Sequence, residues 1–354
     1  MSKVLVAMSG GVDSSVAAFL LKEQGYECIG ATMHLFDGEY ARTEEESTCC
    51  SLYDIEDARN VAYQAGFPHY VFNFKKSFKT QVLDRFVSEY ECGATPNPCI
   101  DCNRFVKFHK FLQRAIELDM EYIATGHYAR IEFQNGRYLL KKAINEEKDQ
   151  SYVLYAMTQE QLARTLFPIG SLHKTQVREI AHQQGFVNAT KRDSQDICFA
   201  SDGDYAASIK RMSGKNYVSG KFIDREGNIL GEHKGIIYYT EGQRRGLGLS
   251  LPEPLYVLKK NMKDNTIVLG KNTELYNNNL EAGDFNWIAW DVPPPSIRAK
   301  ARIRYKHSEQ WATITPTGND TVHIEFDEPQ RAITKGQAVV LYQDDLVLGG
   351  GTIL

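Results

Sequence analysis

The chain has 354 residues, of which 42% are hydrophobic and 24% charged, as is typical of a globular protein with two or three domains. It contains no run of about 18 apolar residues, so no membrane-spanning segment is predicted. Its 41 lysines and arginines against 45 acids give a formal net charge of −4. This balance excludes a uniformly basic nucleic-acid-binding protein and requires any such binding to use a local basic patch.

The start of the chain and its cysteine content both favour a cytoplasmic location. Met1-Ser2-Lys3-Val4 leads directly into a strand pattern, so no signal peptide is predicted. An odd number of cysteines indicates that they do not form a disulfide framework. The seven cysteines are Cys28, Cys49, Cys50, Cys92, Cys99, Cys102 and Cys198.

Strand and helix patterns alternate over the first 125 residues. The predicted elements, in chain order, are strand Val4–Met8, helix Val12–Glu23, strand Cys28–Met33, helix Asp54–Gln64, strand Tyr70–Phe74, helices Phe78–Tyr90 and Phe105–Leu118, and strand Tyr122–Thr125. Such alternation predicts an α/β fold with a parallel sheet covered on both faces. Because ligands bind beyond the carboxyl ends of parallel strands, residues 8–15 and 126–130 are predicted to lie at the binding edge.

The pattern becomes β-rich after about Gly220. Alternating runs separated by Gly, Asn and Asp predict strands at Gly235–Tyr239, Leu255–Leu258, Thr266–Leu269, Val322–Phe326 and Ala338–Tyr342. The stretch "DVPPPS" at 291–296 is predicted to be a rigid connector. We therefore expect a catalytic α/β domain over residues 1–200, a central β-rich domain over 201–280 and a C-terminal β-barrel over 281–354.

The stretch "MSGGVDSS", residues 8–15, has the features of a phosphate-binding loop without the lysine of a P-loop. Gly10 and Gly11 allow successive N–H groups to face an anion at the start of a helix, where the helix dipole also favours negative charge. Asp13 is suited to bind Mg²⁺. A cradle of this kind fits a pyrophosphate that leaves intact, as in adenylation. The alternative is a simple glycine turn with Ser and Asp caps.

Two cysteines are candidates for nucleophiles. In "GATPNPCIDCNRFVKF" (93–108) the prolines are expected to hold Thr95–Cys99 extended, with Cys102 opening the next helix. A thiol at a helix N-terminus near Arg104 has a lowered pKa. Cys198 lies in the polar segment "RDSQDICF". Two alternatives remain: Cys99 and Cys102 as half of a zinc site, or an iron–sulfur cluster on Cys99, Cys102 and Cys198.

The segment "SIRAKARIRYKH" (296–307) alternates strictly between apolar and basic residues. The pattern predicts a strand with one packed face and one basic face, which would form a track for nucleic-acid phosphates. The alternative is a solvated barrel strand. The predicted basic face consists of Arg298, Lys300, Arg302, Arg304 and Lys306.

Together the motifs closely resemble the tRNA-specific 2-thiouridylases of the MnmA type, in the PP-loop ATP pyrophosphatase superfamily. The resemblance spans nearly the whole chain: "AMSGGVDSS", "TPNPC..CN..VKF", "YIATGHYAR", "KDQSYVLY", "FPIG.L.K..VR..A", "DSQDICF", "GQRRGLG", "RIRY" and "KGQAVVLY…LGGGTI". It implies a Rossmann-like PP-loop domain followed by two small β-rich domains. It also implies ATP- and Mg²⁺-dependent 2-thiolation of the wobble uridine in tRNAs for Lys, Glu and Gln, with a cysteine desulfurase or sulfur-relay protein as donor.

The resemblance also assigns site residues. Cys102 would be the nucleophile and Cys198 the persulfide carrier. The nucleotide-binding set would be Ala7, Met8, Ser9, Gly10, Gly11, Val12, Asp13, Ser14, Met33 and Gly126. The tRNA-contacting set would be Asn97, Pro98 and Cys99 at the target base, with His127, Lys148, Asp149, Gln150, Arg304, Tyr305 and Gln337 elsewhere.

This chain departs from the family pattern at two positions. Many relatives carry aspartate at the position of Cys99, where a carboxylate can act as a general base, and Asp101 is the nearest acid here. Glu241 replaces an aliphatic residue before "GQRRGLG", with no catalytic consequence expected.

Two other functions fit parts of the pattern. An amide-forming PP-loop ligase would not need paired reactive cysteines. A nucleotide-binding module joined to RNA-binding β domains would bind ATP without releasing AMP.

Overall fold

The computed structural model describes residues 1–37, 52–193, 197–200, 203–250, 252–318 and 320–354. Cys49, Cys50 and residues 194–196, which precede Cys198, lie outside this range. The described residues divide into two compact units. Unit 1 comprises 1–82, 98–203 and 344–348, and unit 2 comprises 83–97, 204–343 and 349–354.

The α-helices are, in chain order, α1 (Val12–Glu23), α2 (Leu52–Gln64), α3 (Lys75–Phe78), α4 (Asp84–Glu91), α5 (Pro98–Asp101), α6 (Phe111–Glu117), α7 (Gln159–Ala163), α8 (Lys174–Gln183) and α9 (Tyr205–Ser213). Segments of π-helix span Lys79–Leu83 and Cys102–Lys110. Short 3₁₀ helices span Glu146–Lys148, Ser151–Leu154, Ile236–Tyr238 and Asn272–Leu275.

The strands of unit 1 include β1 (Lys3–Ala7), β2 (Glu27–His34), β3 (His69–Asn73), β4 (Tyr122–Ala124), β5 (Ala129–Gln134), β6 (Arg137–Lys142) and β7 (Thr165–Leu166). Those that follow are β8 (Gly220–Ile223), β9 (Ile229–His233), β10 (Tyr256–Asn261), β11 (Thr266–Gly270), β12 (Tyr276–Trp287), β13 (Ile297–Arg302), β14 (Gln310–Pro316), β15 (Val322–Arg331), β16 (Ala338–Gln343) and β17 (Leu346–Ile353).

The core of unit 1 is a parallel sheet, as the strand–helix alternation predicts. Its order is β3-β2-β1-β4-β7, and Leu5 of β1 lies between Ile29 of β2 and Ile123 of β4. After Lys3, the central strand β1 consists of buried apolar residues, as expected for a strand covered on both faces. Helices α1 and α8 pack against each other. The carboxyl ends of β1, β2 and β4 therefore lie side by side.

Unit 2 is β-rich. One sheet has the order β10-β11-β8-β9. The other forms a barrel of β12, β15, β14, β13, β16 and β17, which closes through antiparallel pairing of β12 with β17. Helices α4 and α9 pack together in this unit. The expected fold class, an α/β domain with two smaller β modules, is confirmed.

Four local predictions were wrong. Gly235–Tyr239 contains a 3₁₀ helix, not a strand, because Gly235 has a φ of 132° and Tyr238 N–H bonds back to the Gly235 carbonyl. The predicted helix Phe78–Tyr90 is interrupted by a π-helical turn. The predicted helix Phe105–Leu118 begins earlier, at Pro98, since proline is tolerated in the first turn of a helix. The strand predicted over 296–307 ends at Arg302.

No helix within the described part of the chain is both long and apolar enough to cross a lipid bilayer.

Candidate active site

The loop between β1 and α1 is held in shape by its own serines. The Ser9 N–H donates to Ser14 Oγ at 3.2 Å, and Ser14 Oγ and Ser15 Oγ both donate to the Gly11 carbonyl at 3.0 Å. Gly10 has a φ of 74°, and a Cβ on it would lie 2.3 Å from the Asp54 carbonyl oxygen. The left-handed backbone and the close approach of α2 therefore both require glycine here.

Asn188 ties this loop to a distant part of the chain. Its side-chain amide donates to the Gly10 carbonyl and to Ser15 Oγ, both at 2.9 Å, and the residue is 2% exposed. Because these bonds are buried, water does not replace them at no cost when they are lost. Asn188 thus holds both the backbone turn at Gly10 and the first turn of helix α1.

Lys191 holds the same turn at Gly10 through two ion pairs and a hydrogen bond. Its ammonium donates to Asp54 Oδ1 at 2.6 Å, to Asp57 Oδ2 at 2.7 Å and to the Gly10 carbonyl at 3.3 Å. Burial alone would lower the pKa of Lys191, but the hydrogen bonds and charges of Asp54 and Asp57 outweigh it and raise the pKa. The ammonium is therefore permanently charged beside the loop.

Asp13, in the first turn of α1, has two partners from other elements. Lys174, the first residue of α8, donates to its two carboxylate oxygens at 2.7 and 2.8 Å. The Tyr128 hydroxyl donates to Asp13 Oδ1 at 2.8 Å. Burial, followed by the charge of Asp13, strongly raises the pKa of Tyr128, which keeps this hydroxyl protonated as a donor.

Asp193 forms ion pairs with three cationic side chains. Its carboxylate lies 2.7 Å from the ammonium of Lys174, 2.8 Å from that of Lys148 and 3.0 Å from the Arg178 guanidinium. Burial opposes ionisation, but the hydrogen bonds from Lys148 and Lys174 outweigh it and lower the pKa of Asp193. Lys174 therefore bridges two carboxylates.

The end of β4 lies directly against the loop. A Cβ on Gly126 would lie 2.7 Å from the backbone carbon of Asp13 and 2.7 Å from the nitrogen of Ser14. Of the predicted nucleotide-binding set, Gly126 and Ala7–Ser14 are thus brought together. Met33 lies one residue before the end of β2, in register with Phe72 of β3. All these residues lie in unit 1 at the predicted edge of the sheet.

The two candidate cysteines also lie in unit 1. Cys102 is buried and Cys198 half-buried, whereas Cys99 is exposed. Because the helix begins at Pro98, Cys102 lies in its second turn and not at its N-terminus, and the Thr95–Cys99 segment is not extended throughout. The helix-dipole argument for a reactive Cys102 thiol is therefore wrong, although the residue itself stays a candidate.

Several side chains predicted to contact tRNA bind groups of their own unit. Asp149 is buried and accepts hydrogen bonds from Ala143 N–H at 3.0 Å and from the Ser151 hydroxyl at 2.7 Å. Gln150 Oε1 accepts from the Tyr128 N–H at 3.0 Å. His127 is 9% exposed, and burial, then the charge of Lys107, lowers its pKa well below the ordinary value.

Of the other predicted tRNA contacts, Pro98, Cys99 and Lys148 lie in unit 1, whereas unit 2 contains Asn97, Arg304, Tyr305 and Gln337. Arg304 donates to the carbonyls of Arg331 and Ala332, and Gln337 donates to the Thr95 carbonyl at 2.5 Å. Arg304, Tyr305 and Lys306 follow the end of β13. The basic face therefore comprises three residues of β13, Arg298, Lys300 and Arg302, and not five. Arg298 also forms an ion pair with Asp327 of β15.

The sequence reasoning missed four residues that hold the loop: Tyr128, Lys174, Asn188 and Lys191. Tyr128 lies in the motif "YIATGHYAR" and Lys174 in "FPIG.L.K..VR..A", but the resemblance gave neither residue a role. Their partners lie 161 and 115 positions away in the chain, so no local pattern indicates the contact.

The residues of this site can hold Mg²⁺ only if phosphate oxygens supply further ligands. No group of three or more His, Cys, Asp or Glu side chains in the described ranges could hold a metal ion. The loop offers the carboxylate of Asp13, and Mg²⁺ bound with nucleotides takes one or two carboxylates plus phosphate and water oxygens. A zinc or iron–sulfur site would need more ligands than these ranges bring together.

Family models match almost the whole chain. A tRNA methyl transferase HUP domain matches residues 2–202, a tRNA methyl transferase PRC-barrel domain matches 207–271, and an aminomethyltransferase β-barrel domain matches 277–353. A 4-thiouridine synthetase–RNA complex with bound ATP shares 16% identity and a TM-score of 0.34 over 60% of this chain and 50% of that chain, a likeness too low to support an inference.

Curated relatives match over their full length. The tRNA-specific 2-thiouridylase MnmA of Clostridioides difficile (strain 630) is 52% identical over 99% of this chain and 98% of its own. The tRNA-specific 2-thiouridylase MnmA 1 of Clostridium botulinum (strain Loch Maree / Type A3) is 51% identical over 99% of both chains. With this identity along its whole length, the chain belongs to the MnmA family of tRNA-specific 2-thiouridylases.

Proposed function

We propose that this chain is an ATP-dependent sulfurtransferase that replaces the C2 oxygen of the wobble uridine of tRNA with sulfur. Membership of a family whose relatives are named for this activity supports the proposal. The structural observation that carries it is that one compact unit contains both the phosphate loop and the cysteines Cys102 and Cys198. In the proposed reaction, the loop binds ATP for adenylation and the two thiols carry out sulfur transfer.

The proposed first step is adenylation. The C2 carbonyl oxygen of the uridine attacks the α-phosphorus of ATP, the bond to the β-phosphate breaks, and pyrophosphate leaves intact. The loop Ala7–Ser14, with Met33 and Gly126, binds the nucleotide, and its backbone N–H groups face the phosphates. Mg²⁺ bound to the phosphates would neutralise part of the phosphate charge, with Asp13 available as a protein ligand. The AMP ester then makes the C2 oxygen a good leaving group.

The proposed second step is sulfur transfer. The terminal sulfur of a persulfide on Cys198 adds to C2, and AMP departs with the former carbonyl oxygen. The Cys102 thiolate then attacks the Cys198 Sγ, which releases the thiocarbonyl and leaves a Cys102–Cys198 disulfide. The two sulfurs approach to about 2.05 Å in this step. A thiol reductant supplies two electrons to restore both thiols for the next turnover.

The proposed RNA contacts involve both units. Asn97, Pro98 and Cys99 would face the target base, with His127, Lys148, Asp149, Gln150, Arg304, Tyr305 and Gln337 contacting tRNA elsewhere. The barrel also offers an exposed aromatic ring with two cations, since Arg298 and Lys300 lie 5.3 and 5.6 Å from the ring of Trp311. Surfaces that combine cations with aromatic rings bind RNA through phosphates and stacked bases.

The partners follow from this chemistry. We propose tRNAs for Lys, Glu and Gln as substrates, and a cysteine desulfurase or a sulfur-relay protein as the source of the persulfide. A cytoplasmic location fits these partners.

Mass spectrometry of tRNA nucleosides tests the function. Purified protein receives an unmodified tRNA for Glu, ATP, Mg²⁺ and a persulfide donor, and the digested tRNA is analysed for 2-thiouridine. The expected result is 2-thiouridine at the wobble position only when all components are present. Unchanged uridine, with the same preparation binding ATP, would contradict the proposal and favour a different acceptor.

A further inference from the structure

The phosphate loop, residues 8–15, contains one acidic side chain and no basic side chain to offset its charge. Its only ionisable side chain is Asp13, which lies in the first turn of α1 where an anion would bind. A carboxylate in that position repels the triphosphate of ATP. P-loops avoid this problem because they carry a lysine within the loop.

Lys174, on helix α8, forms an ion pair with Asp13 of helix α1. Its ammonium reaches both carboxylate oxygens, at 2.7 and 2.8 Å, and the side chain is 11% exposed. It also lies 2.7 Å from Asp193 and 5.9 Å from the ring centre of Tyr128. An ion pair so little exposed is weakly screened, and its effect on a bound anion is correspondingly large.

The position of Lys174 is fixed by the fold. Its backbone N–H donates to Asn145 Oδ1 at 3.1 Å at the start of α8, and α8 packs against α1. Asp193, itself held by Lys148 and Arg178, fixes the ammonium from the other side. The lysine is thus preorganised beside the loop and does not need to be recruited by the nucleotide.

We propose that Lys174 is a positioning residue that supplies the positive charge missing from the loop, by neutralising Asp13 so that phosphate can enter. This inference rests on the proposed function, because it assigns a role in binding ATP. Lys174 acts through Asp13, which distinguishes it from a lysine that contacts phosphate directly. The cation that P-loops carry within the loop comes here from a helix 161 positions later in the chain.

The test is a double-mutant cycle that removes each charge in turn and measures ATP binding. Isothermal titration calorimetry with ATP and with AMP, in EDTA, is applied to wild type, Lys174→Met, Asp13→Asn and the double variant. Lys174→Met should weaken ATP binding tenfold or more and AMP binding less than threefold, because AMP carries less charge. The double variant should recover ATP affinity to within about threefold of wild type, since neither charge remains. Lys22→Met, which removes an exposed lysine from the last turn of α1, is the matched control and should retain wild-type affinity.

Three results would overturn the inference. Lys174→Met could bind ATP as wild type does, or the double variant could stay as weak as Lys174→Met, which would show direct phosphate contact. Wild-type binding that requires Mg²⁺ would show that the metal, and not Lys174, neutralises Asp13. Failure of wild type to bind ATP even with Mg²⁺ would instead count against the proposed function itself.

Discussion

The side-chain amide of Asn188 donates to the carbonyl oxygen of Gly10 at 2.9 Å, although the two residues lie 178 positions apart in the chain. The contact joins the left-handed turn at Gly10 of the phosphate loop to the segment that follows α8. It means that the loop is shaped by the complete unit and not by the local sequence alone.

Replacing Asn188 should therefore disturb both stability and nucleotide binding. In Asn188→Ala, the Gly10 carbonyl and the Ser15 hydroxyl each lose one buried hydrogen bond, which should lower the free energy of unfolding by about 1–3 kcal/mol. ATP affinity should fall about three- to tenfold, as measured by calorimetry. Gln183→Ala, at the exposed end of α8, is the control and should change neither quantity. Unchanged ATP affinity in Asn188→Ala would show that the loop keeps its shape without this bond.

Gly126 should tolerate no side chain. In Gly126→Ala the new Cβ would lie 2.7 Å from backbone atoms of Asp13 and Ser14, which have no flexible end that can move aside. We expect a loss of about 1–3 kcal/mol in stability from overpacking and a fall in ATP affinity of tenfold or more. Thermal denaturation and ATP titration measure the two effects.

Gly136→Asn is the control for that substitution. Gly136 lies in the β5–β6 turn with open space around it and a φ of 79°, a conformation that asparagine tolerates. This variant should bind ATP as wild type does. Wild-type ATP affinity in Gly126→Ala would refute the proposed packing of β4 against the loop.

His69 should make stability depend on pH. The single proton of Thr32 Oγ1 is donated to the Met8 carbonyl at 2.7 Å, so Thr32 must accept from His69 Nε2 at 2.9 Å. His69 therefore carries a proton on Nε2, and its Nδ1 has no hydrogen-bond partner within the described residues. Burial, and then the charge of Arg59, lowers the pKa of His69 to about 4.

Because the pKa of His69 is lower in the folded state, the unfolded chain binds the proton first as the pH falls. The contribution of His69 to stability should decline from about pH 6.5 to about pH 4 and change no further below that. His69→Gln keeps a donor to Thr32 and should flatten this part of the curve of melting temperature against pH. His182→Gln, on the exposed face of α8, should leave the curve unchanged. Parallel curves for wild type and His69→Gln would contradict the assignment.

The two cysteines should be needed for sulfur transfer but not for nucleotide binding. Cys102→Ser and Cys198→Ser should each lower the rate of 2-thiouridine formation at least about 1,000-fold, because each removes a sulfur that forms or breaks a bond. Their ATP affinity should stay within about twofold of wild type. Cys92→Ser, at an exposed cysteine of unit 2, should retain full activity. Thiolation by either serine variant at a near-normal rate would contradict the role proposed for that cysteine.

The sequence predicted the elements whose causes are local. Helix α1 begins and ends at the predicted residues, because the glycine turn before it and Gly25 after it mark both ends. Strands β1 to β4 of the parallel sheet were also predicted to within a few residues, since their apolar runs are short and bounded. The two-residue strand β7 was not predicted.

The errors arose where distant residues or backbone geometry decide the outcome. Pro98 was interpreted as holding an extended segment, but it opens a helix, and both conformations share the same φ. The alternation after Ile297 continues in the sequence beyond the point where the chain turns at Arg302. The partners of Asp13 and Gly10 come from residues that only the folded unit brings near.

The most direct test of the central claim is the nucleotide product made from α-labelled ATP. Purified protein is incubated with labelled ATP and Mg²⁺, with and without unmodified wobble-uridine tRNA and a persulfide donor, and the products are separated by chromatography. The account predicts AMP and pyrophosphate only when the tRNA is present, because the uridine oxygen is the acceptor of the adenylyl group. ADP as the product, or AMP formed without RNA, would contradict it.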